Sequence, residues 1–151
     1  MIALTLAQIA EAVSGEVRLA DGDTLETIVS GLVDTDSREI GVGDIFVAKP
    51  GEVTDGHEFV GTARERGAVL ALVERQVDVE VTQIVVANVI HALADLARDV
   101  VARVRAQGNL TVIGITGSNG KTTTKNLLAR ILTDEGETVA PRASFNNERG
   151  A

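Results

Sequence analysis

One stretch constrains this 151-residue chain more than any other. Leu110-Thr111-Val112-Ile113-Gly114-Ile115-Thr116 is an apolar, β-branched run of the kind found in a buried parallel strand. It enters Gly117-Ser118-Asn119-Gly120-Lys121-Thr122-Thr123-Thr124, after which Leu127, Leu128, Ile131 and Leu132 recur at helical spacing. Strand, glycine turn, Gly-Lys-Thr and helix, in that order, are the context of a phosphate-binding loop. A parallel strand needs parallel neighbours and crossover connections, so an α/β fold is expected.

Each residue type in the loop has a physical role. Glycines remove the Cβ atoms that would keep the backbone from wrapping a phosphate, and they tolerate positive φ. Successive N–H groups can then converge on an anion at the positive end of the following helix. Gly117, Ser118, Asn119, Gly120, Lys121, Thr122 and Thr123 are therefore the expected ATP-binding residues. Lys121 is the catalytic candidate, its ammonium reaching the β- and γ-phosphates. Thr122 offers a hydroxyl to Mg²⁺, an ion that keeps several waters and leans on the phosphates. The general pattern places a glycine five residues before the Gly-Lys pair, where this chain has Ile115. Its own spacing is Gly114-x-x-Gly117-x-x-Gly120-Lys121-Thr122. A glycine turn with a chance lysine is the bland alternative, and the coincidence of strand, three spaced glycines and helix argues against it.

Ahead of the loop, Thr5 and Gln8 read as a capping box for a helix whose apolar residues are Leu6, Ile9, Ala10 and Val13, with Gly15 as its left-handed cap. A strand at 16–19, the turn Asp21-Gly22-Asp23 and an extended run at 27–33 read as a hairpin. Asp34 to Arg38 is a polar turn, and 45–48 a short buried strand. A loop rich in turn formers follows from Pro50 and ends at His57. Residues 58–66 carry a helical pattern stopped by Gly67, between buried strands at 45–48, 68–73 and 83–87; this order implies a parallel crossover. The longest helical pattern is 89–107, with Val89, Leu93, Leu96, Ala97, Val100, Val101 and Val104 on one face and Asp95, Arg98, Asp99 and Arg103 on the other. Gly108-Asn109 ends it, and a domain boundary is placed there. Residues 1–108 hold 9 basic and 18 acidic groups, whereas 109–151 hold 5 and 4.

The net charge of −8 argues against binding to nucleic acid or an anionic membrane, which rests on clustered cations. No cysteine is present, which excludes disulfides, thiolate metal sites and a cysteine nucleophile. His57 and His91 are too few for a histidine-built zinc centre. The start of the chain lacks the basic segment of a secretory signal and no apolar run reaches spanning length, so a cytoplasmic protein without membrane insertion is expected.

The loop, read as GITGSNGKTTTK, resembles that of the Mur ligases and their folylpolyglutamate synthetase relatives. Asp36-Ser37-Arg38, Gly43-Asp44-Ile45-Phe46-Val47-Ala48, Gly51 and Asp55-Gly56-His57-Glu58-Phe59 are similar to the amino-terminal UDP-binding domain of two branches of that family. These branches add the third residue and the terminal dipeptide to UDP-N-acetylmuramoyl-peptides, and Ser144-Phe145-Asn146-Asn147-Glu148 resembles the second. The resemblance implies a small α/β UDP-sugar domain over 1–108, followed over 109–151 by the start of a parallel-sheet ATP domain. It implies ATP and Mg²⁺ as cofactors, UDP-N-acetylmuramoyl-tripeptide and D-alanyl-D-alanine as substrates, and ligation through an acyl phosphate. Asp36, Ser37, Arg38, Lys49, His57, Asn146 and Asn147 would then contact the UDP-sugar substrate. A monomer is expected. Glu148-Arg149-Gly150-Ala151 departs from the family pattern, and a segment of roughly forty residues rarely supports its own core. The chain therefore reads as an amino-terminal fragment that does not turn over substrates alone.

From the residues alone, bland readings stand beside these. Asp36-Ser37-Arg38 fits a capped surface turn with an ion pair, although an arginine fork also suits a pyrophosphate. His57 fits a loop-anchoring hydrogen bond, and His91 fits packing or surface. Competing functions are the sibling ligase that adds the third residue and a non-catalytic nucleotide-binding module. A small P-loop kinase is disfavoured because no lid arginines or aspartate-bearing strand follow the loop.

Overall fold

The computed structural model describes residues 1–51, 54–108 and 110–140. The chain divides into two compact units, Met1–Gly108 and Asn109–Ala151.

In the first unit, β1 (Leu4–Thr5) leads directly into α1 (Leu6–Val13). The Thr5 hydroxyl accepts the Gln8 N–H at 3.2 Å, and the Gln8 side chain accepts the Thr5 N–H at 3.0 Å, which completes the capping box. Leu6, Ile9, Ala10 and Val13 are buried. The left-handed cap is Ser14 at φ 51°, not Gly15 as expected. Gly15 has a different requirement: a Cβ there would lie 2.3 Å from Ile84 Cγ2, so the helix end can approach the sheet only without a side chain.

Five strands form the main sheet in the order β2 (Glu16–Arg18), β7 (Thr82–Val85), β6 (Leu70–Val73), β5 (Ile45–Val47), β4 (Val33–Asp34). β4 to β7 are mutually parallel, with Asp34 opposite Phe46, Val47 opposite Leu72 and Val73 opposite Val85. The expected hairpin does not form. β2 instead pairs antiparallel with β7, Val17 opposite Ile84, while β3 (Ile28–Val29) pairs with β1. This edge pairing packs Val17 against the main apolar cluster, and the Ala20 N–H meets the Thr82 hydroxyl at 2.9 Å just beyond β2. The extended run at 27–33 is broken at Gly31, where a Cβ would lie 2.0 Å from the Gly43 carbonyl oxygen.

Alternation along the strands builds a core on each face of the sheet. Ile45, Val47, Leu70, Leu72 and Ile84 pack with α1 and with Val89, Ala92 and Leu96 of α3 (Val89–Gln107). On the other face Phe46, Ala48, Ala71 and Val73 meet Val60 and Ala63 of α2 (Val60–Glu65), which a 3-10 turn at Gly56–Phe59 precedes. Gly67, at φ +112°, stops α2.

The Asn88 side chain caps α3 by accepting the Ile90 and His91 N–H groups, both at 3.0 Å. The apolar face of α3 is narrower than expected, because Ala97 and Val101 are exposed. A 19-residue helix is about 28 Å long while a four-residue strand spans about 13 Å, so α3 overhangs the sheet it covers.

In the second unit the expected helix is present as α4 (Lys121–Thr133). The expected strands at 110–116 and 138–140 are not formed, and Val112, Ile113, Leu127 and Ile131 are about half exposed or more. A strand exists only against a partner, and none is found among the described residues of this unit. Residues 141–151, with the segment around Asn146 and Asn147, lie outside the described residues.

Candidate functional site

Parallel sheets bind ligands beyond the carboxyl ends of their strands. In the first unit those ends carry the residues singled out from the sequence. Just beyond β4, the Asp34 carboxylate accepts the Asp36 N–H at 2.9 Å, and Asp36 accepts the Arg38 N–H at 3.0 Å. The Arg38 fork closes on the same carboxylate through Nε at 2.9 Å and Nη2 at 2.7 Å. These hydrogen bonds hold the Asp36 carboxyl at about 2, and they form the ion-paired turn of the bland reading. Ser37 is buried, whereas the Arg38 side chain is 83% exposed with its guanidinium oriented.

β5 delivers Lys49 to the start of a loop that returns on itself. The Gly56 N–H donates to the Lys49 carbonyl at 3.0 Å, and Pro50 bridges to Asp55. Gly56 is required by this closure, since a Cβ would sit 2.5 Å from the Lys49 oxygen. His57 locks the returning strand of the loop. Its side chain is 1% exposed, and Nδ1 lies 2.6 Å from Asp55 Oδ1. Nε2 accepts the Glu74 N–H at 2.9 Å and the Arg75 N–H at 3.4 Å, so the ring proton belongs on Nδ1, facing Asp55. Both nitrogens are thus committed within the protein, which is the loop-anchoring role.

Three residues of this constellation were not singled out as site residues: Asp55, Glu74 and Arg75. Asp55 accepts the His57 N–H at 3.0 Å, the His57 ring and Arg75 Nη2 at 2.6 Å. Those donors, the His57 backbone first, hold its carboxyl well below the usual carboxylate range. Glu74 Oε1 accepts the Val89 N–H at 3.0 Å, joining the end of β6 to the start of α3. The signal was present: Glu74 and Arg75 directly follow the apolar run at 68–73, where a parallel strand must end.

The glycine loop lies in the second unit. Gly117 has φ +146° and Gly120 φ +79°, both in the region that favours glycine. A Cβ on Gly120 would meet nothing within 4 Å, and one on Gly117 would meet only the Asn119 carbonyl oxygen, at 3.6 Å. Backbone conformation, not crowding, is therefore what calls for glycine here. Gly120 caps α4 without a side-chain hydrogen bond, and its carbonyl accepts the Thr124 N–H at 2.9 Å. The Lys121 ammonium folds back to donate to the Gly117 carbonyl. An open turn, the positive end of a 13-residue helix and an adjacent ammonium suit a phosphate. Among the described residues no three His, Asp or Glu side chains gather as a metal site. A divalent ion here would depend on the Thr122 hydroxyl, phosphate oxygens and water.

Two concavities lie elsewhere. One of about 290 Å³ is lined by Arg18, Asp21, Asp78 and Glu80 among others, and one of about 240 Å³ by Ile28, Val42 and Val69 among others. Volume is a weaker guide here than the placement of polar groups at strand ends. Among the described residues, no helix is long and apolar enough to cross a membrane.

Residues 31–108 match the catalytic domain of the Mur ligase family, and residues 115–150 match the Mur ligase middle domain. The chain belongs to the Mur ligase family. Among the members most similar to it is the UDP-N-acetylmuramoyl-tripeptide–D-alanyl-D-alanine ligase of Mycobacterium tuberculosis, 44% identical over 99% of this chain and 33% of the relative. Among solved Mur ligases, the D-alanyl-D-alanyl ligase of Acinetobacter baumannii superposes with a TM-score of 0.76 at 36% identity, over 98% of this chain and 32% of that one. MurF ligase of Thermotoga maritima, in complex with ADP, superposes with a TM-score of 0.60 at 34% identity, over 80% and 27%. The chain spans about a third of the length of the curated relatives it matches.

Proposed function

We propose that these residues form the UDP-sugar-binding domain (1–108) and the beginning of the ATP-binding domain (109–151) of a Mur ligase that joins D-alanyl-D-alanine to UDP-N-acetylmuramoyl-tripeptide. The observation that carries the proposal is the glycine loop: Gly117 and Gly120 at positive φ, opening a helix whose first residue is Lys121. The T. maritima relative was solved in complex with ADP, which supports the reading that a nucleotide binds. Bound ATP supplies the phosphoryl group that turns the tripeptide's terminal carboxylate into an acyl phosphate, which the dipeptide amine then attacks. Lys121 offsets the charge that accumulates as carboxylate and phosphate approach, a task suited to a mobile ammonium beside backbone N–H groups. Gly117, Ser118, Asn119, Gly120 and Thr123 shape the cradle, and the Thr122 hydroxyl would help hold a Mg²⁺ ion that offsets phosphate charge.

In the first domain Arg38 and Lys49 face the diphosphate, with Asp36 and Ser37 fixing the turn that carries Arg38. His57 acts from behind, holding the Lys49 loop closed through Asp55 and the end of β6. Asn146 and Asn147 would meet the substrate on the ATP domain. The protein works in the cytoplasm as a monomer. The 151 residues alone bind nucleotides without turnover, since the relatives are three times as long.

Calorimetric titration with UDP and with Mg·ATP, on wild type and Lys121→Ala, tests this. ATP binding is expected to be lost in the variant and UDP binding to survive. Loss of both ligands in the variant, or binding of neither by wild type, overturns the reading. Steady-state phosphate release with all three substrates would overturn the proposal that this chain binds without turning over.

A further inference from the structure

We propose that Arg75 is a diphosphate-reading residue of the first domain, favouring a nucleoside diphosphate over a monophosphate. The inference rests on the UDP-binding reading above and adds a residue that reading does not contain. Arg75 is the second residue beyond β6, on the strand next to the one that delivers Lys49. Arg38, Lys49 and Arg75 thus follow three successive parallel strands, β4, β5 and β6, in a domain where acidic groups outnumber basic ones two to one.

The guanidinium of Arg75 is placed rather than loose. Its Nη2 donates to Asp55 Oδ2 at 2.6 Å, while Asp55 Oδ1 is taken by the N–H and ring of His57. Its own N–H is fixed by His57 Nε2 at 3.4 Å. The side chain is nevertheless 60% exposed, and among the described residues no acceptor meets its Nε or Nη1. A planar fork held at one edge by a carboxylate has its remaining donors set in direction, so less freedom is lost when an anion arrives. Arg38 is held by Asp36 through two donors, Nε and Nη2, on the far side of the Lys49 loop. Two carboxylate-oriented forks flanking one ammonium suit an anion with two phosphoryl groups, whereas one phosphoryl group does not need the third cation.

An exposed ion pair contributes little to stability. A purely structural Arg75 and a ligand-reading Arg75 therefore differ in what they do to binding. The test measures dissociation constants of UDP and UMP by calorimetry, with NMR titration for weak binding, on the full 151-residue chain and on Arg75→Gln and Arg75→Lys. Wild type is expected to prefer UDP. In Arg75→Gln the UDP affinity falls by roughly 10- to 100-fold, the scale of one charge-assisted hydrogen bond. UMP affinity and thermal midpoint stay put, so the preference collapses, and Arg75→Lys recovers part of it. Equal weakening of UDP and UMP would make Arg75 a loop brace and overturn the inference, as would unchanged UDP binding. A wild type that binds neither nucleotide removes the underlying UDP reading and this inference with it.

Discussion

At the scale of single residues, the carboxyl edge of the first domain is organised by carboxylates that accept several donors each. Asp36 and Asp55 are both held more acidic than usual, by Arg38 and by His57 with Arg75. A carboxylate whose folded pKa is depressed contributes stability that is complete above its unfolded value and is lost as pH falls through the folded one. For Asp36 that window runs from 3.8 down to about 2. The thermal midpoint is therefore expected to drop on acidification through this range, and Asp55→Asn should make the drop shallower while lowering the midpoint at neutral pH. A profile unchanged by the substitution would show that the Asp55 contacts carry no net stability. The two bland readings of the sequence, an ion-paired turn at Asp36 to Arg38 and an anchoring His57, describe what these side chains do locally. Their functional reading concerns what that local order holds in place. Arg75 was invisible as a partner because its contact to Asp55 spans twenty residues of sequence, and spacing rules reach only along one helix or strand.

At the scale of elements, local signals were read well and pairing was not. The capping box of α1, the full extent of α3 and the stop at Gly67 each depend on residues within a few positions. The hairpin was misread because pairing is decided by where Val17 finds apolar neighbours, and that is β7, more than sixty residues away. Gly15 was assigned the wrong reason for the same cause: its constraint is Ile84, not the helix it follows. This is testable. Gly15→Ala would place its methyl 2.3 Å from Ile84 Cγ2 and 2.9 Å from Val86 Cγ1, both on buried residues. Overpacking of this kind typically costs about 1–3 kcal/mol. Chemical denaturation should show a lower midpoint with an unchanged slope, whereas the same substitution at Gly22, at φ +87° with open space around it, tests conformational strain alone. If Gly15→Ala leaves the midpoint unchanged, crowding at position 15 is not the constraint.

At the scale of the whole molecule, the two units differ in what holds them. The first contains every buried residue among those described, the apolar ones in two clusters on either face of the sheet. In the second, α4 buries no residue, and Leu127 and Ile131 are 61% and 55% exposed. The β-branched run at 110–116 has the composition of a strand, yet no strand forms there, because composition cannot supply the neighbours that pair with it. The measurable stability of these 151 residues should therefore reside in residues 1–108. A chain ending at Gly108 is expected to unfold in one cooperative transition at the midpoint of the longer chain. Leu70→Ala should lower that midpoint in both lengths, by an amount corresponding to about 2–5 kcal/mol for a fully buried leucine. Leu127→Ala should leave it where it is. Calorimetry on the four proteins decides the matter: a transition lost on truncation, or one that moves with Leu127, would mean that the glycine loop and its helix are part of the same cooperative fold as the sheet that carries Arg38 and Lys49.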